Sequence, residues 1–180
     1  MNLAETYAAY CGCQINIPHM EVDETNIPSE PYLTVHSWCE KETNRRYAHW
    51  PAVVSLISSV IKWPIFQVGG ISDPWLYGAQ QRLGTNTKQL AGLLKHSKCH
   101  FGYESFPMHV ASVFDTPIVA IFRNYIEQSY PVWSSKEKVK LFIPELTHSR
   151  PPYGHQELET AINKINPKDI ADAVLLLLKM

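Results

Sequence analysis

Lys98-Cys-His-Phe-Gly-Tyr-Glu-Ser-Phe-Pro-Met-His-Val-Ala-Ser-Val-Phe-Asp-Thr-Pro-Ile-Val-Ala-Ile-Phe122 holds a whole structural unit in one stretch. Lys98 to Gly102 reads as a strand and its exit turn, and Phe106 to about Phe114 as a short helix. Pro117 to Phe122 is a nearly continuous apolar run of the kind found in strands covered on both faces. A strand, a helix and a second strand in that order make a parallel crossover, which is right-handed in nearly all proteins.

The alternation continues outward in both directions. Upstream, Asn86 caps a helix running to about Ser97, with Gln89 three residues on and Leu90, Leu93 and Leu94 as its buried stripe. Pro64-Ile-Phe-Gln-Val68 is a strand that ends at Gly69-Gly70, where the chain can turn sharply off the sheet, and a loop from Ile71 to Leu76 follows. Before it lies a helix from about Pro51 with Val53, Ile57, Val60 and Ile61 along one face. A polar loop to His49 separates that helix from the strand Tyr32-Leu-Thr-Val-His36. Downstream, Val139-Lys-Leu-Phe-Ile143 reads as a further strand. Asn166-Pro-Lys-Asp169 starts a terminal helix with Ile170, Val174, Leu177 and Leu178 on one side. The expected fold class is α/β, a Rossmann-like open parallel sheet with helices on both faces. Residues 1–31 are expected to form an N-terminal helix and linker, and residues 32–180 the domain proper. In the first part Leu3, Tyr7 and Tyr10 recur at helical spacing, and the proline-containing stretch from Ile17 to Pro31 is the linker.

Composition narrows the function. Sixteen Lys and Arg balance seventeen Asp and Glu, so no global basic field is available to hold nucleic acid or an anionic membrane. The N-terminus carries no leader signature and no apolar stretch is long enough to span a bilayer, so a cytoplasmic location is expected. Cys11 and Cys13 form a C-x-C pair while Cys39 and Cys99 stand alone. That is not the paired spacing of zinc knuckles, and no metal or cofactor is expected.

In an open parallel sheet, ligands bind beyond the carboxyl ends of the strands near a topological switch point. Glu104 to His109 lies at such an end, between a strand and a helix, where backbone N–H groups and the helix dipole favour an anion. Phosphate oxygens could accept from Ser105 and the amides of Phe106 and Met108, with His109 adding a donor, while Glu104 could accept from sugar hydroxyls. Equally, Glu104 and Ser105 could simply cap the helix. The loop after the first strand contributes His36, Ser37, Lys41, Arg45 and Arg46 as hydroxyl, imidazole and guanidinium donors. Gln67 and Asp73 flank the Gly69-Gly70 turn and could meet a base or ribose. Ser105 lacks the G-x-S-x-G elbow of serine hydrolases, and a G-x-G-x-x-G dinucleotide fingerprint is absent.

Taken together, His36-Ser37, the basic loop ending in His49-Trp50-Pro51, Gln67-Val-Gly-Gly70, Thr87-Lys-Gln-Leu-Ala91, Gly102 to Ala111 and Thr116-Pro117 resemble a known family. They are similar to the carboxyl-terminal half of lipopolysaccharide heptosyltransferase-like enzymes, glycosyltransferase family nine. The resemblance implies one half of a GT-B fold, binding a nucleotide-diphosphate sugar donor such as ADP-heptose. It also implies sugar contact for Glu104 and phosphate contact for Ser105, Met108, His109, the His36-Ser37 loop and one of Arg45 and Arg46. Two positions depart from the family pattern: Glu104 stands where aspartate is commoner, and Phe106 where glycine is usual. The acceptor half is not in this sequence, so transfer is expected to need a separate acceptor-domain protein or a homodimer partner. The alternatives are a non-catalytic nucleotide-binding or protein-interaction module that retains the half-fold, and a nucleotide-sugar hydrolase or epimerase.

Overall fold

A computed structural model describes residues 2–39, 46–122, 129–144 and 162–180 of the chain. Lys41 and Arg45, both expected in the phosphate loop, lie outside the described residues.

Six strands form one sheet: β1 Leu33–His36, β2 Ile65–Gly69, β3 Gln80–Leu83, β4 His100–Tyr103, β5 Ile118–Ile121 and β6 Val139–Phe142. Their order is β3-β2-β1-β4-β5-β6 and each neighbouring pair is parallel. This is the strand order of doubly wound nucleotide-binding sheets, in which successive crossovers run outward in opposite directions from the central pair. The expected α/β architecture is therefore observed.

Helices cover both faces. On one side α2, Trp50–Val60, and α5, Pro167–Leu177, pack on Leu33, Val35, Ile65, Phe101, Val119 and Ile121. On the other, α3, Thr87–His96, and α4, Phe106–Val113, pack on Phe66, Val68, Ile118 and Ala120. Residues 33 and 35 face one layer, while 32, 34 and 36 face the other, as a period of two requires. The two layers enclose apolar side chains that are each worth roughly 1.5–3 kcal/mol when fully buried.

The helix starts are written locally. Asn86 accepts from the Gln89 amide while Gln89 returns a bond to the Asn86 N–H, and Asn166 accepts from the Lys168 amide. Asn2 makes the same reciprocal box with Glu5 at the head of α1, Leu3–Cys11.

Three particulars differ from the sequence reading. β3 was not expected at all: Gln80-Gln81-Arg82-Leu83 is a largely exposed edge strand with no apolar alternation to announce it. Val60 does not join the buried stripe of α2; it is exposed, and Trp50 and Val54 take part in its place. Tyr7 and Tyr10 are exposed on α1, so this helix does not bury a tyrosine face. It is tied instead through Asn2, whose side-chain amide donates to the Tyr130 carbonyl at 2.8 Å. The linker packs against the domain. Asp23 N–H donates to the Lys88 carbonyl at 2.9 Å, and the linker crosses α3 at Gly92, where any Cβ would collide with the Asp23 carbonyl.

Candidate functional site

The site forms where the strand order reverses, beyond the carboxyl ends of β1 and β4. His36 closes β1 opposite Gly102 of β4. Gly102 has φ +156° and a Cβ there would meet the His36 backbone, so a glycine is what lets the two strands end side by side.

Three residues far apart in sequence meet at this point. His36 Nδ1 lies 2.8 Å from Ser105 Oγ, and His36 Nε2 lies 3.9 Å from Asp73 Oδ2. The carboxylate oxygen of Asp73 also accepts from the Gly70 N–H at 3.0 Å, which fixes the turn after β2. Burial pushes the His36 imidazole down to about 4, so the ring is neutral at pH 7 and can hold its proton on either nitrogen. With the proton on Nε2, facing Asp73, Nδ1 accepts from the Ser105 hydroxyl. With the proton on Nδ1, the ring donates to Oγ and the hydroxyl donates to the Tyr103 carbonyl at 3.2 Å.

Ser105 is the N-cap of α4, yet its hydroxyl makes no capping bond. The hydroxyl meets His36, so a simple capping role does not account for it. The amides of Ser105 and Phe106 make no backbone hydrogen bond among the described residues, and Pro107 removes the next donor. Both unbonded amides sit at the positive end of the helix dipole. Phe106 itself, the first residue of α4, is more than half exposed.

Gln67 is fully buried and both ends of its amide are engaged. Nε2 donates to the Pro74 carbonyl at 2.8 Å and lies 3.5 Å from Ser37 Oγ, while Oε1 accepts from the Leu76 N–H at 2.8 Å. Its structural effect is to pin the loop 71–76 across the end of the sheet.

On the α3 side of that loop is a cavity of about 490 Å³, bordered by Asp23, Ile71, Asp73, Arg82, Leu83 and Gln89 among others. That is within the roughly 300–1,000 Å³ of small-molecule sites. Asp73 thus belongs both to this cavity and to the His36–Ser105 pair. Of these residues the sequence offers Asp73 and Ile71 in the turn after β2 and Gln89 in the Thr87–Ala91 motif, while Asp23, Arg82 and Leu83 come from the linker and the unannounced strand β3 and carry no local signal.

The remaining candidates are placed as follows. Glu104 is half-buried at the strand exit, its N–H donating to the Ile121 carbonyl at 3.1 Å. Met108 is fully buried and its N–H donates to the Ser105 carbonyl at 3.1 Å, so its amide is engaged within the helix start. His109, one turn on, borders a separate hollow with Asn2, Tyr7, Tyr130 and Trp133, and burial lowers its pKa. Arg46 stacks over the Trp38 ring at 4.0 Å and its Nε donates to the Cys39 carbonyl at 3.2 Å. It borders a third cavity, on the α2 side, together with Ser37. The structure therefore gathers His36, Ser37, Gln67, Asp73 and Ser105, and sets Arg46 and His109 on either flank.

Among the described residues no group of three or more His, Cys, Asp or Glu is arranged to hold a metal ion, and no helix is long and apolar enough to cross a membrane.

No protein-family model and no curated protein sequence matches the chain. Solved structures do match in fold. The ADP-heptose lipopolysaccharide heptosyltransferase II of E. coli superposes with a TM-score of 0.65 at 17% identity, over 86% of this chain and 48% of that one. A family 9 glycosyltransferase from Veillonella parvula gives 0.60 at 15%, over 98% and 50%. The E. coli heptosyltransferase WaaC with ADP gives 0.60 at 12%, over 96% and 54%. The chain thus spans about half the length of these structures and has the Rossmann-like fold of the half it matches.

Proposed function

We propose that this chain binds a nucleoside-diphosphate sugar and is the donor-binding half of a glycosyltransferase. The observation that carries this reading is the double position of Asp73. It borders a cavity sized for a nucleoside and also stands beside the His36–Ser105 pair at the start of α4.

A base and ribose in the cavity bring the ribose hydroxyls to the Asp73 carboxylate. The diphosphate then reaches the amides of Ser105 and Phe106 and the hydroxyls of Ser105 and Ser37, an array of neutral donors at a helix N-terminus. His36, neutral through burial, sets the direction of the Ser105 proton without adding charge. ADP in the WaaC structure and ADP-heptose named for heptosyltransferase II support a donor of the ADP-heptose kind. Sugar transfer on this reading also requires an acceptor face, which a separate protein or another copy of the chain would supply. There, the amide donors would stabilise the departing diphosphate.

A second reading has its own observation. Phe106, the first residue of α4, is more than half exposed, and a bulky side chain at that position favours an interaction module that no longer takes a donor. Calorimetry of the purified chain with ADP, UDP, GDP and their sugars separates the two. Saturable binding that weakens at least tenfold in Ser105→Ala and Asp73→Asn supports the donor site, and no binding to any nucleotide supports the interaction module.

A further inference from the structure

His36 carries the Ser105 hydroxyl on one ring nitrogen and the Asp73 carboxylate beside the other, a grouping whose chemistry goes beyond hydrogen bonding to a diphosphate. We infer that Ser105 is a nucleophile, with His36 as its base and Asp73 orienting the ring, and that the chain hydrolyses small apolar carboxylic esters.

The contacts set the roles. Ser105 Oγ lies 2.8 Å from His36 Nδ1, within the roughly 2.6–3.2 Å over which a base takes a proton. Asp73 Oδ2 lies 3.9 Å from His36 Nε2, and a carboxylate on that side attracts a ring N–H and repels a ring lone pair. It therefore favours the proton on Nε2, which leaves the Nδ1 lone pair to accept from the Ser105 hydroxyl. Of the two tautomers, Asp73 selects the one in which Ser105 points its proton at a base. The Gly70 N–H holds the same carboxylate oxygen at 3.0 Å, which fixes its position. This is the constellation of a serine hydrolase with the two ring nitrogens exchanged.

The backbone supplies the rest. Ser105 follows β4 and caps α4, the strand-to-helix place that the nucleophile holds in α/β hydrolases. The G-x-S-x-G elbow is missing and its strain with it, since Ser105 has extended backbone with φ −167° and ψ 177°. The amides of Ser105 and Phe106 make no backbone hydrogen bond among the described residues, and the N–H of the residue after the nucleophile is one that receives an oxyanion in such enzymes. The cavity that Asp73 borders is lined in part by Ile27, Ile71, Leu83 and Leu93, room for an apolar acyl group.

The reaction needs only water besides the ester. Ser105 Oγ attacks the carbonyl carbon as its proton passes to His36 Nδ1, and the carbonyl oxygen, now an oxyanion, meets the Phe106 N–H. Collapse breaks the bond to the alcohol oxygen, which leaves with the proton from His36. Water then attacks the acyl-serine while giving a proton to His36, and Ser105 takes that proton back as the carboxylic acid departs. Burial, which pushes His36 down to about 4, makes it a weak base at neutral pH, so an ester with a good leaving group shows the activity best.

The inference rests on these three side chains and not on the donor reading, and its assay contains no nucleotide. The purified chain is given p-nitrophenyl butyrate and, separately, a fluorophosphonate probe, which phosphonylates an activated serine with loss of fluoride. The expected results in wild type are saturable p-nitrophenolate release above buffer and a label that peptide mapping places on Ser105. Ser105→Ala abolishes both, and His36→Asn lowers kcat by about a hundredfold or more. Asp73→Asn lowers kcat by about tenfold or more, while Asp73→Glu, which keeps the carboxylate, recovers part of the loss; circular dichroism sets all variants to equal folded fraction. Failure of either wild-type result overturns the inference without recourse to a variant, and so does activity that survives Ser105→Ala or His36→Asn. Nucleotide calorimetry reads the donor site separately, so either proposal can fail while the other stands.

Discussion

Acidification from pH 7 to pH 5 will destabilise this protein by about 4 kcal/mol, through two histidines kept neutral inside it. His36 is pushed down to about 4 and His100 to about 3, in both cases chiefly by burial. The surroundings of His100 show why. Thr34 Oγ1 donates to Ser97 Oγ at 3.0 Å, and Ser97 Oγ donates to the Cys99 carbonyl at 2.9 Å. Each hydroxyl proton is thereby committed, so Thr34 Oγ1 accepts from His100 Nδ1 at 3.1 Å. That leaves His100 Nε2 as a buried lone pair without a partner among the described residues, and protonating it would add a charged N–H with nothing to receive it. Both folded pKa values lie below the unfolded value, so the stabilisation is complete above about pH 6.5 and is lost as the pH falls. From 6.5 to 5 the unfolded ring is protonated and the folded ring is not, a slope of about 1.4 kcal/mol per pH unit, or about 2 kcal/mol for each ring. At pH 5 this figure barely depends on how far below 5 the folded values lie. Against the 5–15 kcal/mol of a typical domain, this is a large change. Urea unfolding followed by circular dichroism at the two pH values measures it, and His36→Asn or His100→Asn will each remove about half of the difference. Equal stability at pH 5 and pH 7 would refute the reasoning, because it would mean that neither ring is desolvated.

Replacing Gln67 with Leu will strand the Pro74 carbonyl and the Leu76 N–H. It will lower stability by about 2–3 kcal/mol in urea unfolding and raise amide exchange across the loop 71–76. Gly102→Ala will cost more than about 1 kcal/mol, because the backbone geometry is unfavourable and the new Cβ meets the His36 main chain; thermal melting reads it directly. Gly92→Ala will push the linker off α3 at Asp23. It will weaken nucleotide binding measured by calorimetry more than it lowers the melting temperature, since only the cavity wall moves.

Much of the fold could be read from local signals. The apolar run Ile118–Ile121 and the strand–helix–strand order around Phe106 announced a parallel sheet. Asn86 with Gln89 and Asn166 with Pro167 marked helix starts to the residue. What escaped was structure whose signal is tertiary. β3 has no apolar alternation because it is an exposed edge. Val60 and the tyrosines of α1 follow a helical period, yet whether they find a covering surface depends on neighbours that the period does not name.

The site was partly legible for the same reason. The start of α4 and the carboxyl end of β1 follow from the sheet alone, and they place His36, Ser37 and Ser105. The meeting of Asp73 with His36 depends on a turn held by the Gly70 amide. The cavity beside it depends on a linker that lies flat only because residue 92 has no side chain. Nor does sequence position tell that the His109 ring borders a hollow near α1, or that Arg46 stacks on Trp38.

The central claim is that one nucleoside diphosphate occupies both the cavity beside α3 and the start of α4. A crystal structure of the chain with the nucleoside diphosphate that binds tightest tests it most directly. The account predicts density for the base between Ile71, Leu83 and Gln89, the ribose at Asp73, and phosphate oxygens within 3.2 Å, a hydrogen-bond distance, of Ser105 Oγ and the Phe106 amide. Nucleotide bound elsewhere, with the α3 cavity empty, would contradict it.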